Sequence, residues 1–218
     1  MKATITIPDS LDEITLKQYK HFLTITKDLE GEFFKQRMVE SLCNVQYLSV
    51  QMMKRKDVND IVNSLTNLIN EDSEFKHRFY IKDMEFGMIP DLEDMTSGEF
   101  GDLTAYIGDW QTMNKAMAVL FRPIKERQGD KYLIVDYDGT GATSELLDFM
   151  PLSIAKGAML FFYLLTNELV NAIQLSTMEE AAKEILQSQR NSEKNGDGIS
   201  TSTHLLKEML DNLTLSQN

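Results

Sequence analysis

The stretch that most constrains this chain is residues 94–124, DMTSGEFGDLTAYIGDWQTMNKAMAVLFRPI. Phe100, Leu103, Ile107, Trp110, Met113, Met117, Leu120 and Phe121 recur at three- and four-residue steps. That spacing sets them on one face of a helix and predicts that the face is buried. Ser97 supplies an N-cap, and Glu99 places a negative charge in the first turn, against the free N–H groups. Pro123 forbids continuation and biases Arg122 out of the α region. The pattern therefore predicts a central helix over about 98–121. Trp110 falls on its buried stripe, and Arg122 at its C-terminal end, where a cation meets free carbonyls.

The flanking segments add mostly helices. Ser10-x-x-Glu13 and Thr15-x-x-Gln18 are tandem capping boxes, and the second opens a stripe of Leu16, Tyr19, Phe22 and Leu23, predicting a helix over 15–28. A second helix carries Phe34, Met38, Val39 and Leu42. A third, capped by Asp57, carries Val58, Ile61, Val62, Leu65, Leu68 and Ile69. Extended pieces are expected at residues 3–7, at 78–90 and at 131–137, the last pairing with 79–89. Ser153 opens a helix that is apolar nearly all round and must be enclosed. Thr177 and Glu180 start another. The expected fold is mainly α, a multi-helix domain around the central helix with a small antiparallel β element. It spans residues 1–188, followed by a flexible linker at 189–203 and a short amphipathic segment at 204–218.

Charge and residue usage narrow the function. With 34 Asp+Glu against 22 Lys+Arg the net charge is −12, which repels phosphate backbones and speaks against nucleic acid as a partner. Cys43 is the only cysteine, so no internal disulfide and no Cys-based metal cage can form. The longest apolar run, 158–165, is far short of the ~20 residues a membrane span needs. The expectation is a protein of the cytoplasm. His21, His77 and His204 lie in unrelated segments without paired-ligand spacing. Asp136-Tyr-Asp138-Gly139 and Asn191-x-Glu193-x-Asn195-Gly196 lack the required ligands of a calcium loop, and Gly139-Thr-Gly141-Ala lacks the Lys-Ser/Thr of a phosphate loop. Acidic residues around Asp102 sit at a helix start, where the dipole already favours them. No cofactor, metal or catalytic constellation is expected. Thirteen Met suit either an irregular core or a surface that accommodates a partner.

One further pattern is specific. Met88-Ile-Pro90-Asp-Leu, Gly98-Glu99-Phe-Gly-Asp102-Leu, Asp109-Trp110 and Ala116-Met-Ala-Val-Leu-Phe-Arg122-Pro123-Ile, with the Gly157-Ala-Met-Leu-Phe-Phe run, together resemble proteins encoded by tailed bacteriophages, among tail-morphogenesis genes, and are similar to tail assembly chaperones. The resemblance covers residues 10–175. It implies a non-catalytic protein of the host cytoplasm that binds the hydrophobic tape-measure protein, or another tail protein, during virion morphogenesis. Candidate contacts are Phe161, Phe162, Tyr163, Leu164 and Leu165, with Leu205, Leu206, Met209, Leu210 and Leu213 as a docking element for a partner or a sister subunit, or else as a solubilising tail. The alternative is a virion structural protein, a connector or tail component. An enzyme of another kind would depend on Glu99, Asp102 or Arg122.

Overall fold

Where the sequence states its helix signals completely, the chain obeys them. Thr15 caps α1 (Leu16–Thr26), and the reciprocal bonds of its capping box are both present: Thr15 N–H donates to the Gln18 side chain at 2.9 Å, and Gln18 N–H to Thr15 Oγ1 at 3.2 Å. The chain continues through α2 (Gly31–Leu42), α3 (Tyr47–Gln51) and α4 (Arg55–Asn70). Helix α4 buries the stripe Val58, Ile61, Val62, Leu65 and Leu68; its N-cap is Lys54, and Asp57 lies inside the first turn instead of capping it. These features come from a computed structural model that describes residues 5–92, 94–164 and 183. The chain divides into two compact units, Met1–Phe162 and Tyr163–Asn218.

The mainly α expectation is corrected by a four-stranded antiparallel sheet, which makes the fold mixed α/β. Its strands are β1 (Arg78–Ile81), β2 (Met84–Met88), β3 (Phe121–Gln128) and β4 (Lys131–Ile134), hydrogen-bonded in that order. The all-α description fails for the same reason. Strand β4 pairs with β3 and not with residues 79–89, because β3, read from sequence as the end of a helix and a loop, lies between them. Gly129, with φ 64, and Asp130 make the two-residue turn joining β3 to β4, a conformation glycine adopts without strain. Residues 5–7 form no strand, and residues 3 and 4 lie outside the described ones.

The predicted central helix is two helices. Helix α5 (Ser97–Tyr106) and helix α6 (Met113–Leu120) are separated by a turn. Asp109 Oδ1 accepts from Gln111 N–H at 2.9 Å, and the Thr112 hydroxyl donates to the Tyr106 carbonyl at 2.8 Å. These local bonds, next to Gly108, offer the backbone a better alternative than two more helical turns. The cap of α5 is Thr96, one residue before Ser97. Pro123 does not mark the helix stop either; α6 ends at Leu120, and Pro123 sits inside β3 opposite Phe86.

Helix α7 (Gly141–Leu147) follows the sheet, and helix α8 covers 152–164 among the described residues. Two apolar clusters form the core of the first unit. One gathers Phe79, Phe86, Met88 and Phe121 from the sheet with α6 and the start of α8; the other gathers α1, α2 and α4 with Leu152. The two are clasped by backbone: Leu152 N–H donates to the Ile14 carbonyl and Leu16 N–H to the Met150 carbonyl, at 2.8 and 2.9 Å. Lys20 adds a second tie, reaching Asn114 of α6 and Asp148 after α7 at 2.8 and 2.9 Å.

Helix α8 approaches the 71–77 segment so closely that only glycine fits at the contact. A Cβ on Gly157 would stand 2.5 Å from the Glu74 carbonyl oxygen, a backbone atom that cannot rotate away. Gly157→Ala is therefore expected to destabilise the first unit by roughly 1–3 kcal/mol. Thermal or denaturant unfolding measures this, and an unchanged midpoint would contradict the contact.

Candidate functional site

Cross-strand register puts Arg78, Gly87 and Arg122 in one row across β1, β2 and β3, so the three share a sheet face. The missing side chain at Gly87 leaves room for the Tyr132 ring, whose carbons would lie 2.5 and 2.9 Å from a Cβ there. Tyr132 donates its hydroxyl to the Met88 carbonyl at 2.9 Å, which fixes the ring over this position.

Arg122 is the buried end of the row. Its Nη2 lies 2.8 Å from Glu99 Oε1, and both side chains are nearly enclosed, at 10% and 6% exposure. Glu99 is held by α5: its other oxygen, Oε2, accepts from Thr96 N–H and from the Thr96 hydroxyl, each at 2.8 Å. Burial alone would push the Glu99 carboxyl up, but the two Thr96 bonds and the Arg122 guanidinium outweigh it and hold the group below its ordinary range. Beside the pair, the Tyr137 ring lies 5.6 Å from the Arg122 guanidinium carbon, and its hydroxyl donates to Asp102 Oδ2 at 2.5 Å. Burial first, and then the bond to Asp102, push the Tyr137 hydroxyl upward, so it stays protonated.

Of the residues the motif singled out, Glu99, Asp102 and Arg122 are thus brought together, with Thr96 and Tyr137 as partners that the sequence did not announce. A capping-box reading of Thr96-x-x-Glu99 was available in the sequence; Tyr137 carried no such signal. Glu99 and Arg122 bind one another, and the lowered Glu99 carboxyl stays ionised opposite the guanidinium. That chemistry locks α5 onto the sheet. Trp110 lies apart, half-buried between the two apolar clusters, edge-on to Tyr19 at 4.9 Å between ring centres. Pro90 is exposed after β2, and Pro123 is half-buried within β3.

The candidate partner contacts divide. Phe161 and Phe162 pack inward, Phe161 stacking on Phe75 at 4.4 Å. Tyr163 and Leu164 are exposed, at 64% and 53%. Leu165, Leu205, Leu206, Met209, Leu210 and Leu213 lie outside the described residues. Other large apolar side chains are exposed at the α2–α3 corner: Phe33 on α2, Leu48 on α3 and Met52 just after it, by 63%, 70% and 89%. Two contacts tie α2 to α3 there, and a third ties α2 to the start of α4. The Tyr47 hydroxyl donates to Gln36 Oε1 at 3.0 Å, the Arg37 guanidinium lies 3.7 Å over the Tyr47 ring, and Arg55 pairs with Glu32 at 3.1 Å. Phe33 stands off the stripe that buries Phe34, a signal present in the sequence; Leu48 and Met52 had none, because no periodicity marked the five-residue α3. Cys43 is buried, and burial pushes its thiol up to about 11, away from a reactive thiolate.

Because removing one partner of a buried ion pair strands the other, Arg122→Met is expected to cost roughly 3–5 kcal/mol. The pH dependence has a definite sign. Glu99 has a folded pKa below its ordinary 4.5, so its contribution is complete above 4.5 and fades as pH falls through the lowered value. Melting temperatures measured downward from pH 5 should show this loss in the native protein and lack it in Glu99→Gln. Compared with protein-family models, curated proteins and solved structures, the chain matches none.

Proposed function

We propose that this is a non-catalytic tail assembly chaperone of the tailed-phage kind, which covers an apolar segment of a tape-measure or other tail protein in the host cytoplasm until assembly. The observation that carries the reading is the α2–α3 corner. Three large apolar side chains, Phe33, Leu48 and Met52, stand in solvent around one tied pair of helices, on a chain whose net charge of −12 keeps an apolar complex dispersed. Flexible Met and Leu side chains adapt to more than one helical partner. Among the described residues no helix is long and apolar enough to cross a membrane, which agrees with such a role. The rival, a connector or tail component, would use the same corner for a permanent contact and remain in finished particles.

Co-expression with the tape-measure protein of the same phage is the test. The native chain is expected to raise that protein's soluble yield and to co-purify with it. A Leu48→Ser, Met52→Ser double variant should lose both effects while melting within a few degrees of the native chain, since both side chains are exposed and contribute little to the core. Equal co-purification of native and variant chains would remove the corner from the mechanism, and abundant copies in purified virions would favour the structural rival.

A further inference from the structure

The open end of the Arg78–Gly87–Arg122 row borders a cavity of about 730 Å³, within the ~300–1,000 Å³ range of small-ligand sites. Arg78, Arg127, Lys131 and Tyr132 line it, together with the carboxylates of Glu126 and Asp130. Its cations are incompletely satisfied. Arg78 Nη1 is buried without a hydrogen-bond partner, and the two carboxylates that face this guanidinium, Glu85 and Asp130, stand 3.9 and 3.8 Å away, outside hydrogen-bond range. Asp130 is itself fully exposed at the tip of the β3–β4 turn, so it gives Arg78 only a weak, screened counter-charge. Lys131 has no carboxylate within ion-pair distance among the described residues. Arg127 shares Glu85 at 3.4 Å and donates its Nε–H to the Gly129 carbonyl.

We propose that this cavity binds a phosphate-bearing small molecule, with its phosphate oxygens completing the donors of Arg78 and Lys131. A tetrahedral, multiply charged oxyanion suits the set because several oxygens can meet a guanidinium fork and an ammonium at once, where a single carboxylate would satisfy one of them. The chain's overall negative charge does not veto this. Charges farther away than about 8 Å are screened at physiological salt, so the outcome rests on the local groups, where the unsatisfied Arg78 and the unpaired Lys131 stand against the carboxylates of Glu126 and Asp130. The Tyr132 ring, 5.9 Å from the Arg78 guanidinium carbon, adds an aromatic surface for the non-phosphate part of the molecule. The site is separate from the α2–α3 corner, and its occupancy is independent of the chaperone reading.

Calorimetric titration of the full chain with inorganic pyrophosphate, and in parallel with a nucleoside diphosphate, at constant ionic strength set by sodium chloride, tests it. Saturable binding of either probe is expected, tighter for the nucleoside diphosphate where the Tyr132 ring contributes. Arg78→Gln and Lys131→Gln should each weaken binding by about tenfold. Lys82→Gln, at an exposed cation on the β1–β2 turn, should leave it unchanged. Lys131 makes no ion pair that the fold depends on, so its variant decides the matter even if Arg78→Gln lowers stability. Absence of saturable heat up to about 10 mM for both probes, or native affinity in Lys131→Gln and Arg78→Gln, would overturn the proposal.

Discussion

A guanidinium and a carboxylate meeting at 2.8 Å inside the fold set the terms for the first unit. Enclosing either charge alone costs several kcal/mol, so the two elements that carry them cannot come together except in the arrangement where they pair. Glu99 is aimed by a capping box whose geometry is fixed by the first turn of α5; Arg122 is aimed by its register opposite Gly87. Helix and sheet are therefore joined with little freedom to slide, because a one-residue slip of β3 would turn Arg122 to the opposite face. That explains why a short, modestly amphipathic helix such as α5 is held in place: a directed polar contact supplies what its apolar face lacks.

The same logic of fixing distant segments by few, specific contacts recurs at the seam between the apolar clusters. Ile14 and Leu16 exchange backbone bonds with Leu152 and Met150, which closes almost the whole length of the unit into one loop. Closing so long a loop is entropically costly, though the cost grows only slowly with length. The buried side chains around it, Ile14, Leu16, Met150 and Leu152, all fully enclosed, provide the compensating apolar burial. Lys156 then caps the end of α4, donating to the carbonyls of Ile69 and Glu71, so α8 is tied to both clusters.

The parts legible in the sequence were those whose signal is local. Thr15 with Gln18, and the stripe from Val58 to Leu68, each need only a neighbouring turn to be recognised. Misreadings arose where a tertiary or competing interaction decides. The apolar spacing from Phe100 to Phe121 is continuous, yet Asp109 and Thr112 divert the backbone through side-chain bonds that periodicity does not register. Strand β3 was hidden for a different reason: Phe121–Gln128 is charged, contains a proline and alternates poorly, and it becomes a strand because β2 and β4 pair with it on either side. At the candidate site, Glu99 and Arg122 were visible as separate helix-end charges; that they pair depends on the break between α5 and α6, which returns the chain to the sheet.

The sequence motif sits in the framework of the fold. Its most specific residues, Glu99, Asp102, Trp110, Arg122 and Pro123, lie in the ion pair, the tyrosine bond, the junction of the clusters and the middle of the sheet, so they account for architecture before they account for binding. A partner meets surface, and the apolar surface on the α2–α3 corner lies outside the motif residues. On the proposed reading, architecture and docking fall to separate sets of side chains: Glu99 and Arg122 pair within the scaffold, whereas Leu48 and Met52 are exposed and stand outside the core. Chains that keep the first set while differing in the second would share this fold and accept different partners, because nothing in the Glu99–Arg122 lock constrains what stands at the corner.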